Sequence, residues 1–518
     1  MTDLASIFTF TNFVGLLTTV VILAYFYLKR CYQYWEDRKV PYVKPKSLIF
    51  GSNLDLILHR TSFQEYHADL YNQLAPHRFG GYYNFQRPFL LVRDPEIVKH
   101  VLTVDFQKFH VRHNDADGSE PLRLHLFNLH GDAWKVLREK LSPAFSPAKI
   151  RLMVDLMKEC AVELVDVLKK PAEDNVDVFI SDVVARYGTD VISTCAFGFR
   201  AHTLLYPDAD FRVMSKRIVE PHFNFKLRSL LLAISPKLCK IFKVRMFDPD
   251  AVQYFVRLVD ETIKYREKYH IVRNDFIDLL IAVKREEEAA NQADKDRPRK
   301  IDVSVENLAA QCFAFFFAGY STQNLTLSTA LLELARNPDI QYKLRQEVDE
   351  TFEANKGEIG YDAINKMKYM EQVVSETIRS YPGQPIILRQ CNENFKIPDS
   401  DYVIEKGITV FVPRYGLNHD PEHYPNPDSF DPEHFSEEAK AARHPYAHLL
   451  FGDGPRKCLG MRFGQMHSKL ALAMLLRHYE FTLSPKMKFP LKYTSNVIST
   501  SIVGGIWLRC TKRNIQSA

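Results

Sequence analysis

Phe451-Gly452-Asp453-Gly454-Pro455-Arg456-Lys457-Cys458-Leu459-Gly460 decides how this chain is read. It is a glycine-rich loop that carries one cysteine into a helix, because Gly460–Leu476 continues with apolar residues at helical spacing. Free N–H groups and the positive end of the helix dipole stabilise a thiolate at such a position. Gly452, Gly454 and Gly460 remove Cβ atoms where a flat ligand must press against backbone. No second cysteine or histidine stands at metal-ligand spacing from Cys458. A thiolate in that setting suits a metal that brings its own equatorial ligands, and haem iron is such a metal. The competing chemistry is a nucleophilic cysteine, which needs a histidine base. The nearest histidines are His448 and His467.

Outward from this loop, the strongest element is a helix over Ser304–Arg336, about 33 residues and roughly 50 Å long. It ends at Asn337-Pro338, and Cys312–Ala318 is apolar on every side, which predicts a helix buried through the body. Its middle reads Ala318-Gly319-Tyr320-Ser321-Thr322. Taken alone, that run is read as close packing at Gly319 and a Thr322 hydroxyl bonded back to a carbonyl.

The remaining chain is consistent with a large, mainly α globular body. It has 518 residues, 46% hydrophobic and 25% charged, which excludes a mainly disordered chain. Only 20 glycines lean it toward helix, and a net charge of +5 gives no case for nucleic-acid binding. The 8 cysteines (31, 160, 195, 239, 312, 391, 458 and 510) include no C-x-x-C pair, which argues against a disulfide scaffold or a zinc site. Helices are expected over Pro95–Leu102, Asp132–Leu141, Pro147–Lys170, Asp177–Cys195 and Pro249–Arg285. Gly80–Val92 reads as a β-hairpin around Gln86-Arg87-Pro88, and the charge-dense Lys284–Lys300 as a solvated loop.

Leu4–Leu28 holds no Asp, Glu, Lys or Arg and is followed at once by Lys29-Arg30. About 25 residues at about 1.5 Å each can cross a hydrocarbon core of about 30 Å. Asp3 precedes the run and the basic pair follows it, which is the reverse of a cleaved signal peptide. The positive-inside rule then puts the rest of the chain on the cytoplasmic side. The expected division is a membrane anchor over 1–30, a proline hinge over 31–50 built on Pro41 and Pro45, and a catalytic body over 51–518. Lys226, Arg228, Lys237, Lys240, Lys243 and Arg245 lie between Pro221 and Phe247 with no acid among them. That stretch suits a face resting on anionic lipid, or else an ordinary exposed helix pair.

At every fixed position the Phe451–Gly460 stretch resembles the haem signature of the cytochrome P450 superfamily. The resemblance runs over roughly residues 35–512 and is closest to insect microsomal enzymes of the family-6 type, seen in Val40–Pro45, Asn418–Pro427 and Gly460–Phe463. It implies the cytochrome P450 fold, mainly α with small β-sheets. It implies haem as cofactor (iron protoporphyrin IX), with Cys458 as the axial thiolate ligand and Arg456 meeting a propionate. Trp134-Lys135-Val136-Leu137-Arg138 resembles the family's W-x-x-x-R helix, so Trp134 and Arg138 join the propionate set. Arg389, beyond Tyr381-Pro382-Gly383-Gln384-Pro385, and Arg112 are further candidates.

Glu376-Thr377-Ile378-Arg379 is similar to the family's E-x-x-R, which places both side chains on one helix face. Glu333 and Arg336 share the same spacing. The family completes its pair with the arginine of P-E-R-F, and here the residues are Pro432-Glu433-His434-Phe435. Histidine is shorter and lacks the guanidinium fork. The family usually has an acid beside the alcohol of its long helix. Here Ser321 stands in the acid's place and Thr322 remains. By resemblance, Thr322 holds the proton needed for oxygen cleavage.

The resemblance implies a membrane-anchored haem-thiolate monooxygenase. It would take NADPH electrons through cytochrome P450 reductase and put one oxygen atom of O2 into an apolar small molecule, an endogenous hormone or a foreign compound such as an insecticide. Lys135, Arg138, Lys140 and Lys457 would face the acidic reductase. The expected location is the endoplasmic reticulum (microsomal) membrane, in contact with lipid, with no nucleic-acid partner. Two other classes stay open on the residues: a haem-thiolate lyase or isomerase that rearranges peroxides without O2, and a non-catalytic haem- or lipid-binding protein. Thr322 counts against the first.

Overall fold

The structure is a computed structural model that describes residues 2–112, 120–219, 231, 245, 247–293, 301–494 and 500–514, with side chains from Thr11 onward. Helices dominate. Their largest core gathers apolar faces of the helices Pro147–Glu173, Ile180–Ile192, Pro249–Tyr269, Val305–Arg336, Lys368–Ser380 and Met461–His478. A second, smaller core lies on a four-stranded sheet. There Phe79–Asn84 pairs antiparallel with Arg87–Val92, and Arg87–Val92 runs parallel to Thr409–Val412. Thr409–Val412 pairs in turn with antiparallel Ile387–Gln390. The expected hairpin is therefore present, turned at Phe85-Gln86.

The long helix spans Val305–Arg336, with Ser304 as its N-cap. It is buried over Leu308–Phe313 and again over Leu325–Ala335. Between these stretches Ala318 is exposed and Phe317, Ser321 and Thr322 are half-buried. The apolar run thus crosses the body but opens part of its middle face. Gly319 lies against the helix Ile180–Ile192, where an added Cβ would come within 2.8 Å of Ile192 Cδ1. Close packing at this glycine, read from the sequence alone, is what the structure contains.

Several expected elements are divided differently. Pro249–Arg285 is two helices, Pro249–Tyr269 and Phe276–Ala293. His270 stops the first in the left-handed region (φ 53°). Buried Arg266 then reaches forward over the turn to Asp275, with Nη1 donating at 2.7 Å. The apolar period runs on through this break, so periodicity alone could not show it. Lys284–Ala293 belongs to the second helix and buries Glu287, so it is not loop; residues 294–300 lie outside the described residues. Pro95–Lys99 passes into a wider turn over His100–Val104, as Ile180–Ile192 does over Ser193–Phe197. Of the basic stretch Pro221–Phe247, residues 221–230, 232–244 and 246 lie outside the described residues, and Arg245 is exposed.

At the N-terminus, Thr2–Cys31 is one helix. Its part Thr11–Cys31 has mean hydropathy 1.7 and is not covered by the rest of the chain. That length and composition suit a membrane anchor. The segment that follows is docked on the sheet. Trp35 is fully buried with Nε1 donating to the Tyr82 carbonyl at 3.2 Å, and Gly81 exchanges hydrogen bonds with Pro41 and Val43 at 2.7 and 2.8 Å. A Cβ on Gly81 would fall 2.3 Å from the Trp35 ring, so glycine is required there.

Candidate active site

The cysteine loop is held by its own backbone. The Cys458 amide donates to the Phe451 carbonyl at 3.0 Å, and Gly464 N–H to Gly460 at 2.8 Å as the helix Met461–His478 begins. Gly452 and Gly454 have φ of +69° and +71°, a region that disfavours side chains. The three glycines do not act alike. A Cβ on Gly454 would sit 1.8 Å from the Leu102 carbonyl oxygen, so this glycine answers to protein packing rather than to a ligand. Around Gly452 and Gly460 the nearest neighbours are 3.9 and 3.8 Å away.

Cys458 is exposed, and the protein packed around its loop pushes its thiol up by desolvation. A bond from the Gly460 amide and then the charges of Arg138, Arg112 and Arg414 pull it back down. His448 packs on Phe435 at 5.0 Å and His467 on Tyr187 at 4.8 Å. Burial pushes the two imidazoles down to about 4 and about 3, and neither bonds the sulphur. The base that a nucleophilic cysteine needs is missing among the described residues.

Four arginines converge beside this loop. The isolated bridge between Val111 and Gln390, with Gln390 N–H donating at 2.9 Å, brings Arg112 next to the strand that carries Arg389. Arg112 donates to the Arg456 carbonyl at 3.3 Å and lies over Phe127 at 3.9 Å. Arg138, one turn after Trp134 on the helix Gly131–Leu141, donates to the Lys457 carbonyl at 2.8 Å. Arg456 lies over the Trp134 ring at 4.1 Å and gives one N–H to the Leu129 carbonyl at 2.7 Å.

Two of the four, Arg389 and Arg456, keep buried N–H groups that nothing among the described residues accepts. Nε and Nη1 of Arg456 and Nε of Arg389 are buried without partners. Burial, then the charges of Arg112 and Arg138, push Arg456 down to about 9; burial, then Arg456, do the same to Arg389. Among the described residues none of the four has a carboxylate in ion-pair reach. Buried, mutually repelling guanidiniums with orphan N–H groups call for anions. One thiol and several such arginines fit a flat, metal-centred cofactor with two carboxylates.

The middle of the long helix packs on the helix that follows the cysteine loop. The helices are tied by Phe315 on Phe463 at 5.0 Å and by Ser468 Oγ donating to Gln323 Oε1 at 2.6 Å. Thr322 Oγ1 donates to the Ala318 carbonyl at 2.6 Å and Ser321 Oγ to Phe317 at 3.2 Å. The carbonyl bond read from the sequence for Thr322 is thus present. Gly383 abuts Thr322: a Cβ there would lie 3.0 Å from Thr322 Cγ2. No sequence signal set this glycine apart from its neighbours.

Glu376 and Arg379 are both fully buried and form a two-pronged ion pair at 2.7 and 2.7 Å. Arg379 also donates to the Asn418 and Ser429 carbonyls at 2.8 and 3.2 Å, tying the helix Lys368–Ser380 to the segment that leads to the cysteine loop. His434 completes the group, with Nδ1 3.2 Å from Glu376 Oε1 and Nε2 2.7 Å from the Pro425 carbonyl. Glu333 and Arg336 also pair at 2.8 Å, but Arg336 is 42% exposed. Burial, not spacing, separates the two pairs.

The family model for "Cytochrome P450" matches residues 41–508. The chain belongs to the cytochrome P450 family. It is 37% identical to cytochrome P450 6k1 of Blattella germanica over 513 residues, covering 97% of each chain. It is 38% identical to cytochrome P450 6a2 of Drosophila melanogaster over 498 residues, 94% of this chain and 97% of that one. To cytochrome P450 9e2 of Blattella germanica it is 34% identical over 521 residues, 96% and 97% of the two. Cytochromes P450 bind haem through a cysteine thiolate. This P450 is accordingly a haem-binding monooxygenase, an oxidoreductase that uses O2, a redox partner and a small-molecule substrate.

Proposed function

We propose that this P450 inserts one atom of O2 into apolar small molecules, using NADPH electrons from a flavoprotein reductase, at the endoplasmic reticulum membrane. The observation that carries the reading is the convergence of Cys458 with four arginines, two of which, Arg389 and Arg456, bury N–H groups without partners. Haem, when bound, supplies the binding and reductive activation of O2. Cys458 would hold its iron through the sulphur, and Arg112, Arg138, Arg389 and Arg456 would hold its carboxylates, with Trp134 supporting Arg456 through its ring face.

Thr322 handles the proton. Its hydroxyl already gives its hydrogen to Ala318, so the oxygen's lone pairs are left for a donor at the reacting centre. Ser321 has no acid to feed it. Its bond to Phe317 is longer, and a serine hydroxyl supplies protons far less readily than a carboxylic acid. Phe317 and Ala318 offer apolar surface beside that hydroxyl, which supports an apolar substrate. Endogenous hormones and foreign compounds, insecticides among them, both have that character.

The anchor helix over residues 1–30, the proline segment over 31–50 and the body from residue 51 make the working division. Exposed Lys135 and half-buried Lys140 and Lys457 lie on or beside the elements that hold Arg138 and Cys458, a face suited to an acidic reductase. In a reconstituted system with reductase and an apolar test substrate, NADPH consumption should yield oxygenated product. Turnover of an organic hydroperoxide with no need for NADPH or O2 would instead identify a lyase or isomerase.

A further inference from the structure

Pro382 and Gly383 form the wall that meets Thr322, and the segment around them is tied at both ends. The Tyr381 hydroxyl donates to Glu333 on the long helix, and the Tyr381 amide donates to the Thr377 carbonyl at 2.9 Å. Farther on, the Pro385 carbonyl accepts the Tyr415 amide at 2.9 Å. Between these ties Pro382 is buried and has no N–H, so its carbonyl is its one polar handle. A buried carbonyl needs a donor. Among the described residues that donor is Thr500, whose Oγ1 reaches it at 3.4 Å.

Thr500 is itself directed. Gln64, in the first turn of the helix Phe63–Gln73, donates from Nε2 to Thr500 Oγ1. A hydroxyl has one hydrogen, and with its oxygen accepting from Gln64 that hydrogen is left for Pro382. Both side chains are buried, Gln64 at 1% exposed and Thr500 at 6%. Gln64 Oε1 is buried without a partner among the described residues. A polar pair this deep, with one oxygen left over, costs stability that apolar residues of the same shape would not, which points to a role other than packing. The backbone at Thr500 is held as well, by the bridge between Tyr493 and Ile502 and by the Thr494 amide on the Ser501 carbonyl at 2.8 Å.

The residue after Pro382 carries this link to the chemistry. A Cβ on Gly383 would lie 3.0 Å from Thr322 Cγ2, 3.2 Å from its Cβ and 3.5 Å from its Cα. With no side chain between them, the Pro382–Gly383 peptide bears directly on Thr322. The Thr322 methyl and hydroxyl share one Cβ, so contact on the methyl fixes the rotamer that aims the hydroxyl.

We propose that Thr500, oriented by Gln64, is a positioning residue: its hydroxyl holds the Pro382 carbonyl so that Gly383 seats Thr322 in the rotamer that handles the proton. The proposal rests on the reading of Thr322 given above. Without that hold the wall gains a second position and the Thr322 hydroxyl loses its aim. O2 that has taken two electrons from NADPH and two protons then leaves as hydrogen peroxide instead of oxygenating the substrate.

The measurement is the ratio of hydrogen peroxide to product formed by the full-chain, haem-loaded protein with reductase and NADPH, on an alkoxycoumarin that wild type oxygenates. Thr500→Val keeps the shape and removes the hydroxyl; Thr500→Ser keeps the hydroxyl. Loss of one hydrogen bond of ordinary net strength shifts a two-position equilibrium by about fivefold, so Thr500→Val should raise the ratio by about that factor. Thr500→Ser should restore the wild-type ratio. On top of Thr322→Ala, Thr500→Val should add nothing, because both changes act on one hydroxyl. If Thr500→Val does not load haem, Gln64→Leu, which releases the same hydroxyl from its other side, is judged by the same ratio. A wild-type ratio in Thr500→Val, equal ratios for the Val and Ser variants, or the full further rise on top of Thr322→Ala would overturn the proposal alone. A wild-type ratio in Thr322→Ala would overturn the reading of Thr322, and the proposal with it.

Discussion

Replacing His434 by leucine should destabilise the protein by about 2–4 kcal/mol, and the reason lies in the two atoms the ring faces. Nδ1 meets a carboxylate oxygen of Glu376 and Nε2 meets the Pro425 carbonyl, and neither partner has a hydrogen to give. Both ring nitrogens must donate, so the bound form is the imidazolium. Burial pushes the His434 pKa down, but the hydrogen bond and charge of Glu376 outweigh it and leave the value above its ordinary 6.5. Glu376 agrees: burial pushes it up, Arg379 and then His434 pull it below its ordinary value. Leucine removes two charge-assisted hydrogen bonds, each worth about 1.5–3 kcal/mol. Part of the loss is recovered, because Glu376 keeps Arg379 and the Asp431 amide at 2.9 Å. The ring also borders an open cleft lined by His423, Glu433 and Arg443.

The same geometry sets a pH dependence. A raised folded pKa means that the His434 contribution is complete below about pH 6.5 and is lost as pH rises through the folded value, at most about 1.4 kcal/mol per pH unit for one proton. The other charges around the ring are Arg379, Asp431, Glu433, Arg443 and His423, and all of these but Arg379 line the cleft. Urea unfolding followed by loss of the Soret band should show wild type weakening from pH 6.5 upward. His434→Arg, whose charge does not titrate, should lack that slope. A His434→Leu variant within about 0.5 kcal/mol of wild type, or a slope that survives in His434→Arg, would refute the reasoning.

Three further expectations concern the site and the membrane. With one substrate throughout, Ser321→Glu should raise product formed per NADPH and Thr322→Ala should lower it, within the roughly 10²–10⁴-fold that a positioned proton donor is worth; an unchanged ratio for Ser321→Glu at normal haem content would make Ser321 a pocket wall. Gly383→Ala pushes a methyl to 3.0 Å from Thr322 Cγ2, which should cost about 1–3 kcal/mol of overpacking and increase hydrogen peroxide release per NADPH. A wild-type peroxide yield there would show that Gly383 does not set the Thr322 hydroxyl. Deleting residues 1–30 should release most of the protein from microsomes and leave a remainder that falls with salt, because Pro221–Phe247 is basic. Complete release at low salt would remove that stretch from the membrane contact.

What could be read in advance was local chemistry. The cysteine loop, the long buried helix and the hairpin declare themselves within some thirty residues or fewer, by residue type and period. Partnerships across the chain could not be read that way. Arg112 and Arg389 meet only because a single bridge joins Val111 to Gln390. Burial pushes Arg112 down, and the charge of Arg389 then bears on it and pushes it down further. Nothing in the sequence set Arg414 apart, and the structure buries it. Gly454 looked like part of a ligand cradle, and it is the Leu102 carbonyl that requires it. The break at His270 was hidden because apolar spacing continues through a turn held by the buried ion pair of Arg266 and Asp275.

The central claim is that Cys458, as a thiolate, holds the haem. The absorption spectrum of the dithionite-reduced protein under carbon monoxide tests it most directly. Thiolate ligation predicts the far-red-shifted Soret band for wild type and its loss in Cys458→Ser, with the change traceable to one sulphur atom. A wild-type band at the position typical of histidine-ligated haem, or an unaltered band in Cys458→Ser, would contradict it.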